Sequence, residues 1–88
     1  MTRLIIKVGG AVAGDAADRI LGLAEEGHEV VVVHGAGPQI TDEMLRRGIP
    51  VEFVQGRRRT SKAGLEVVRE SMEAVNAALC LALGDLAV

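Results

Sequence analysis

The sequence predicts an α/β fold in which strands and helices alternate around a small parallel sheet. Two apolar, β-branched segments, 3–8 and 29–34, have the composition of buried strands. A helical pattern lies between them, and a strand, a helix and a strand within about 30 residues form a βαβ unit. The predicted order of elements is therefore β-α-β-α, followed by a hairpin and one long helix.

The first strand and the first helix are delimited by glycine and by an acidic residue. Gly9 and Gly10 end the strand. Asp15 is suited to be the N-cap of a helix over 16–26, and Gly27 can end that helix in the left-handed conformation. The second strand contains four consecutive valines, which predict a strand covered on both faces, as in parallel sheets.

Proline and glycine also delimit the next elements. Pro38 is suited to the first position of a second helix, and Gly48 stops it. Segments 50–54 and 57–60 are short extended pieces on either side of Gly56, which predict a hairpin or a lid.

The last predicted helix is the longest and ends at Gly84. Its apolar residues recur every three or four positions, which indicates one apolar side. They are Leu65, Val68, Met72, Val75, Leu79 and Leu83. We expect this stripe to belong to the core rather than to a cofactor site, with the second side of the helix available to a subunit interface.

Composition and charge exclude several classes of function. The 88 residues have a net charge of −2 and Phe53 as the single aromatic residue, so neither a basic surface nor base-stacking side chains are available for nucleic acid. No apolar run approaches the roughly 20 residues of a membrane span. Cys80 is the single cysteine and cannot form an internal disulfide, so we expect a cytoplasmic protein.

Each predicted strand runs into a glycine turn that is followed by a helix. The turns are Gly9-Gly10 and residues 35–37. Backbone N–H groups at the start of a helix lack partners, and the helix dipole favours negative charge there. Lys7 is close enough to the end of its strand to bring an ammonium group to the same pocket. We interpret these features as part of a phosphoryl-transfer site, with tight turns that bind nothing as the alternative.

Two common phosphate-binding motifs are absent from these turns. The Rossmann motif requires G-x-G-x-x-G, and Ile40 stands where its third glycine belongs. A P-loop requires Lys and then Ser or Thr after its second glycine, whereas Asp15 and Ala16 follow Gly14. In this chain the lysine precedes the glycines.

Four motifs occur in an informative order. They are IKVGG at 6–10, VHGAGPQI at 33–40, FVQGRRRT at 53–60, and LEVV at 65–68 with Asn76 after it. Together they resemble the amino acid kinase family, and within it the acetylglutamate kinases most closely. The resemblance implies a three-layer α/β/α parallel-sheet fold. Residues 1–88 are then the N-terminal, substrate-side βαβα-hairpin-α portion of a longer domain, a truncated one.

The resemblance implies a role for the first glycine turn. Lys7 would contact the transferring phosphoryl group and stabilise its transition state. Gly9 and Gly10 would face the nucleotide phosphates. Most of the adenine site and a second catalytic lysine would lie in the later part of the domain.

The resemblance also implies how the phosphoryl acceptor is bound. Ala36 and Gly37 match positions whose backbone amides hold an acyl-amino-acid substrate, although the family more often has glycine at the first of them. Arg58 matches the arginine that binds the α-carboxylate of that substrate. Arg57 and Arg59 stand where the family commonly has apolar residues, so the choice among the three arginines stays open.

The implied reaction is attack by the side-chain carboxylate of N-acetyl-L-glutamate on the γ-phosphate of ATP with Mg²⁺, in arginine biosynthesis. The expected partners are the amino acid, ATP and further copies of the chain in a homo-oligomer. Nucleic acid, a membrane, a permanently bound cofactor and a resident metal are not expected. His34 is expected to be a strand-end histidine rather than a base. The alternatives are another kinase of this fold, acting on aminoadipate, glutamate, aspartate or carbamate, and a non-catalytic assembly module.

Overall fold

The structure, a computed structural model, describes residues 2–10 and 13–87, and its elements follow the predicted order. The elements are β1 (Arg3–Val8), α1 (Ala13–Glu25), β2 (Glu29–His34), α2 (Gly37–Arg46), β3 (Glu52–Val54), β4 (Arg57–Arg59), α3 (Lys62–Leu83) and a short 3₁₀ helix (Gly84–Leu86). β1 and β2 form a parallel pair, and β3 and β4 form an antiparallel hairpin.

One hydrophobic core joins the sheet to all three helices. Its buried residues are Val8, Ala17, Ile20, Ala36, Ile40, Met44, Val67, Val75 and Leu79. Met44 of α2 and Val67 of α3 are fully enclosed, each with 0% of its surface exposed. The half-buried Ile6, Val30 and Val32 of the sheet pack against this cluster. The helices therefore cover the sheet face from which these alternate strand residues project.

The opposite face of the β1–β2 sheet is open. Ile5 is 74% exposed, Val31 is 44% exposed and Val33 is 48% exposed. The expectation that the valine run is covered on both faces is therefore wrong for this chain. The reason is that the described residues supply helices to one face only. A run of valines is compatible with a strand covered on one face or on both.

The apolar stripe predicted for α3 is right in its second half and wrong at its start. Val75 and Leu79 are buried as expected, but Leu65 is 61% exposed. Two small residues, Gly64 and Ser71, occupy the inner row instead. A Cβ on Gly64 would lie 3.4 Å from the Met44 Cε atom, so the Met44 side chain of α2 packs against α3 at this glycine.

The helix boundaries agree with most of the predicted signals. α1 begins at Ala13, so Asp15 lies in its first turn and is not its N-cap as predicted. A carboxylate in the first turn still interacts favourably with the helix dipole. Gly48 and Gly84 follow α2 and α3 with positive φ angles of 71° and 68°, which glycine adopts at little steric cost.

The hairpin turns at Gln55 and Gly56, whose φ angles are 51° and 77°. Positive φ at both central residues is typical of the tight turns that join antiparallel strands. Phe53 and Arg58 are directly opposite each other in this hairpin. Among the helices in the described part of the chain, none combines the length and apolarity that crossing a membrane requires.

Candidate functional site

The glycine turns that follow β1 and β2 lie against each other at the carboxyl edge of the sheet. The Gly35 N–H donates to the Val8 carbonyl at 3.3 Å, which extends the strand pairing into the turns. A Cβ atom placed on Gly10 would lie 2.7 Å from the Ala36 Cα and 2.9 Å from the Gly35 carbonyl oxygen. Only glycine fits at this position. The structure therefore brings together the two turns that the sequence singles out.

The second turn leads into a helix start that no side chain caps. Ala36 is the N-cap of α2 and makes no capping hydrogen bond within the described chain. Its φ of −151° lies outside the left-handed region, so its methyl group brings no backbone strain. Pro38 in the first turn has no N–H to donate. The remaining first-turn amides have no partner within the helix, and the dipole adds positive potential, which suits an anion.

Lys7 projects from the uncovered face of the sheet, near this edge. It pairs with Val33, whereas the next residue, Val8, pairs with His34 on the face that the helices cover. Lys7 is the penultimate residue of β1, about 3.3 Å from the end of the strand. Its exposed four-carbon side chain has to pass around the edge to meet an anion at the turns. Contact between its ammonium group and the turns stays a prediction.

The hairpin places Arg58 beside the start of α2. Its Nη2 donates to the Gly37 carbonyl at 3.2 Å and to the Thr41 hydroxyl at 2.9 Å. Its guanidinium lies 4.8 Å from the centre of the Phe53 ring, a distance typical of cation–π contacts. Two residues that the motifs link to the acceptor, Arg58 and Gly37, are therefore neighbours.

The other two arginines of the hairpin are exposed. Arg59 lies 4.0 Å from the Glu52 carboxylate across the hairpin. Arg57 pairs with Val54 at the end of the hairpin next to the turn. Arg58 is thus the arginine of the three whose guanidinium contacts α2.

His34 has a hydrogen-bonding partner at each ring nitrogen. Its Nδ1 lies 3.2 Å from the Gly35 carbonyl oxygen, and its Nε2 lies 3.2 Å from the side-chain amide of Asn76 on α3. A neutral ring that donates from Nδ1 can accept from the NH₂ group of Asn76 in the flipped orientation of that amide. This is the arrangement of a structural histidine that ties β2 to α3, as the sequence predicts.

Gln39 links α2 to the first turn, a role that the sequence motifs do not indicate. Its Nε2 donates to the Gly10 carbonyl at 2.8 Å. Its Oε1 is buried and has no hydrogen-bond partner among the described residues. Thr41 was missed as well. The available signal was their position, one and three residues after Pro38 in the first turn and a half of the helix that follows the second glycine turn.

A network of ion pairs lies on the surface of α2 and extends to α3. Glu43 accepts hydrogen bonds from Arg46 and Arg47, and Arg47 also donates to Glu70 of α3 at 2.6 Å. The hydrogen bond from Arg46, followed by that from Arg47, lowers the pKa of the Glu43 carboxyl to about 2. Hydrogen bonds to the carboxylates raise the pKa of both arginines. Of these ion pairs, Arg47–Glu70 links α2 to α3, and the two with Glu43 lie within α2.

An apolar groove of about 620 Å³ lies away from the turns, between α1, β2 and α3. His34 and Asn76 line it together with aliphatic side chains such as Val32 and Leu79. It lacks the convergent amides and cations of the glycine turns, so we place the candidate site at the turns. In residues 2–10 and 13–87, no three His, Cys, Asp or Glu side chains are grouped as ligands for a metal ion.

Comparison with curated proteins points to one family. The profile described as the amino acid kinase family matches residues 2–88. The acetylglutamate kinase of Bacillus licheniformis is 40% identical over 68 residues, which are 73% of this chain and 26% of that protein. The acetylglutamate kinase of Xanthomonas campestris pv. campestris is 40% identical over 83 residues, which are 90% of this chain and 20% of that protein. The chain thus spans a fifth to about a quarter of the length of these relatives.

Solved structures share the fold. The protein smu.665 from Streptococcus mutans UA159 superposes with a TM-score of 0.80 at 30% identity, over 92% of this chain and 35% of that chain. N-acetylglutamate synthase from Neisseria gonorrhoeae, complexed with coenzyme A and L-arginine, superposes with a TM-score of 0.78 at 22% identity. That match covers 99% of this chain and 22% of the synthase, and at this identity it shows the fold alone.

Proposed function

Because the chain belongs to the amino acid kinase family, we propose that it forms the acceptor side of a kinase that phosphorylates N-acetyl-L-glutamate. The observation that carries the proposal is the contact between the two glycine turns at the uncapped start of α2, with Arg58 beside them. The acetylglutamate kinases that match at 40% identity support the choice of substrate. The complete enzyme includes further residues, since this chain spans 20–26% of those relatives.

The proposed reaction transfers a phosphoryl group to a carboxylate. An oxygen of the acceptor side chain attacks the γ-phosphorus of ATP, the bond to the β–γ bridging oxygen breaks, and an acyl phosphate and ADP result. Such a reaction depends mainly on positioning and on charge stabilisation. In this proposal Lys7 and the amides of Gly9 and Gly10 offset the negative charge on the phosphoryl oxygens. Mg²⁺ arrives with ATP as part of that substrate.

The acceptor lies on the α2 side of the same edge. The amides of Ala36 and Gly37 hold it near its reacting carboxylate, and Arg58 pairs with its α-carboxylate. A guanidinium suits this task because its planar fork can donate to both oxygens of a carboxylate. Since Nη2 of Arg58 already bonds to Gly37 and Thr41, the incoming carboxylate replaces one of these contacts.

The test is a chimera in which residues 1–88 replace the corresponding N-terminal segment of the Bacillus licheniformis acetylglutamate kinase. Acyl phosphate formed from ATP and N-acetylglutamate is trapped with hydroxylamine and quantified. We expect activity, and a loss of about 100-fold in kcat for Lys7→Met, as when one group that stabilises transition-state charge is removed. Arg58→Ala is expected to raise KM for the acceptor.

Arg57→Ala is the matched control for Arg58→Ala, because both change one arginine of the hairpin and only Arg58 contacts α2. If a folded chimera binds ATP and phosphorylates aminoadipate, glutamate or aspartate in preference to N-acetylglutamate, the proposed substrate is wrong. If the activity of a folded chimera does not depend on Lys7, the proposed position of the phosphoryl-transfer site is wrong.

The purified chain of 88 residues is expected to turn over no ATP. The family resemblance assigns the second catalytic lysine and most of the adenine site to the later part of the domain. ATP hydrolysis or transfer by the isolated chain that disappears in Lys7→Met would contradict this expectation.

A further inference from the structure

We propose that Gln39 is a positioning residue that fixes the Gly9–Gly10 turn in the shape needed to bind phosphate. The inference rests on the proposed function, because it assigns that turn to the nucleotide phosphates. Gln39 is the third residue of α2, and its Nε2 donates to the Gly10 carbonyl at 2.8 Å. Among the described residues, this is the one side-chain hydrogen bond that is made to the Gly9–Gly10 turn.

The turn needs such a constraint because two successive glycines rotate freely. Glycine has no Cβ and enters most backbone conformations at little steric cost. A freely rotating turn can therefore point a carbonyl oxygen, rather than an amide, at an approaching anion. By bonding the Gly10 carbonyl to α2, Gln39 keeps that oxygen engaged and away from the ligand.

Packing supports the same conclusion. Gly10 sits so close to α2 that an added Cβ would lie 2.7 Å from both the Ala36 Cα and the Gln39 Oε1. This contact and the hydrogen bond together set the position of the first turn relative to the second. A change of side chain at 39 loosens the turn without touching the amides that bind the anion.

The other end of the Gln39 amide argues against a purely stabilising role. Its Oε1 is buried and has no partner among the described residues. A buried acceptor without a partner lowers stability, so a side chain chosen for stability alone would not leave one. Flipping the amide is no remedy, because it would place Oε1 against the Gly10 carbonyl oxygen. The orientation that is adopted serves the turn.

The experiment compares Gln39→Met with Gln55→Met in the full chain labelled with ¹⁵N. Both replace glutamine by a side chain of similar length without an amide, and Gln55 lies in the hairpin turn. Inorganic tripolyphosphate is titrated while the amide resonances of Gly10 and Gly37 are followed, and the ¹⁵N order parameter of Gly10 is measured without ligand. Gln39→Leu, which removes the donor without adding a charge beside the anion, is the second variant if Gln39→Met does not fold.

We expect Gln39→Met to weaken tripolyphosphate binding by about fivefold, the effect of one hydrogen bond, at an unchanged melting temperature. The ¹⁵N order parameter of Gly10 is expected to fall, and Gln55→Met is expected to match the unmodified chain in both measurements. Affinity within about twofold of the unmodified chain, or an unchanged order parameter at Gly10, would overturn the proposal. If the unmodified chain binds no tripolyphosphate, the chimera decides the proposed function, and the order parameter of Gly10 alone decides whether Gln39 fixes the turn.

Discussion

The helices α2 and α3 pack against each other, yet they begin in different ways. The Ser61 hydroxyl accepts a hydrogen bond from the Gly64 N–H at 3.0 Å, so the start of α3 is completed by the residues of the chain itself. The start of α2 has Ala36 at the same position and no side-chain cap. A cap of this kind contributes about 1 kcal/mol to stability.

The uncapped start is the one that meets the glycine turn and Arg58. The Ser61 hydroxyl satisfies one first-turn amide of α3, whereas we propose that the first-turn amides of α2 bind a ligand. A missing cap is informative when it occurs beside a close-packed glycine and a cation. A missing cap alone indicates only a less stable helix.

The largest effect on the α2 start is expected from Gly10→Ala. The added methyl group would lie 2.7 Å from the Ala36 Cα, so the first turn has to move away from α2. Overpacking of this kind costs about 1–3 kcal/mol, to be measured as the free energy of unfolding in urea. Gly9→Ala is the matched control, because no atom lies within 4 Å of its added Cβ. Equal losses in the two variants would show that the turns do not touch.

A smaller effect is expected at the capped start, from Ser61→Ala. Losing the hydrogen bond to the Gly64 N–H should lower the free energy of unfolding by about 1 kcal/mol, while tripolyphosphate affinity stays unchanged. Ser61→Asp keeps an acceptor and should restore stability. If Ser61→Ala weakened anion binding as much as it weakened the fold, the division of roles between the two helices would be wrong.

The ionic link between the two helices predicts a pH dependence. The pKa of Glu43 is lowered from 4.5 to about 2 by hydrogen bonds from Arg46 and Arg47. A lowered pKa stabilises the fold at pH values above 4.5, and this contribution is lost as the pH falls from there towards 2. Glu43→Gln should therefore lose less stability than the unmodified chain over that interval. Parallel urea midpoints from pH 5 to pH 2 would contradict the role of Glu43.

The smallest effect is expected on the uncovered sheet face, from Ile5→Thr. Ile5 is 74% exposed, and substitutions at such positions usually change stability by no more than about 0.5 kcal/mol. Val8→Thr, on the covered face of the same strand with 5% exposure, should be clearly more destabilising. A large loss at Ile5 in thermal unfolding would mean that another molecule covers this face in solution.

The element order could be predicted because the sequence marks most of its boundaries with glycine and proline. Gly27, Gly48 and Gly84 have the positive φ angles expected of residues that end helices. Whether helices cover one or both faces of the strands could not be predicted, because a run of valines is compatible with either. Leu65 was predicted in the core because the periodicity counts apolar side chains and overlooks the buried Gly64 beside it.

The site was predictable to the extent that it lies in the backbone. Two strands followed by glycine turns place those turns at one edge of a parallel sheet, and the structure confirms their contact. The hydrogen bonds of Gln39 and Thr41 depend on the directions of their side chains, which the order of the motifs does not determine. One further feature could have been predicted from the alternation of side chains along a strand. Lys7 and Val8 are neighbours in β1, so their side chains project from opposite faces of the sheet.

The most direct test asks whether Lys7 and the glycine-turn amides bind the same anion. The ¹⁵N-labelled chain and its Lys7→Met variant are titrated with MgATP while all backbone amide resonances are followed. We expect shifts at Gly10 and Gly37 in the unmodified chain and an affinity weakened by about tenfold in Lys7→Met, as for the loss of one charged contact. Shifts confined to the exposed hairpin arginines, with equal affinities for the two proteins, would contradict it.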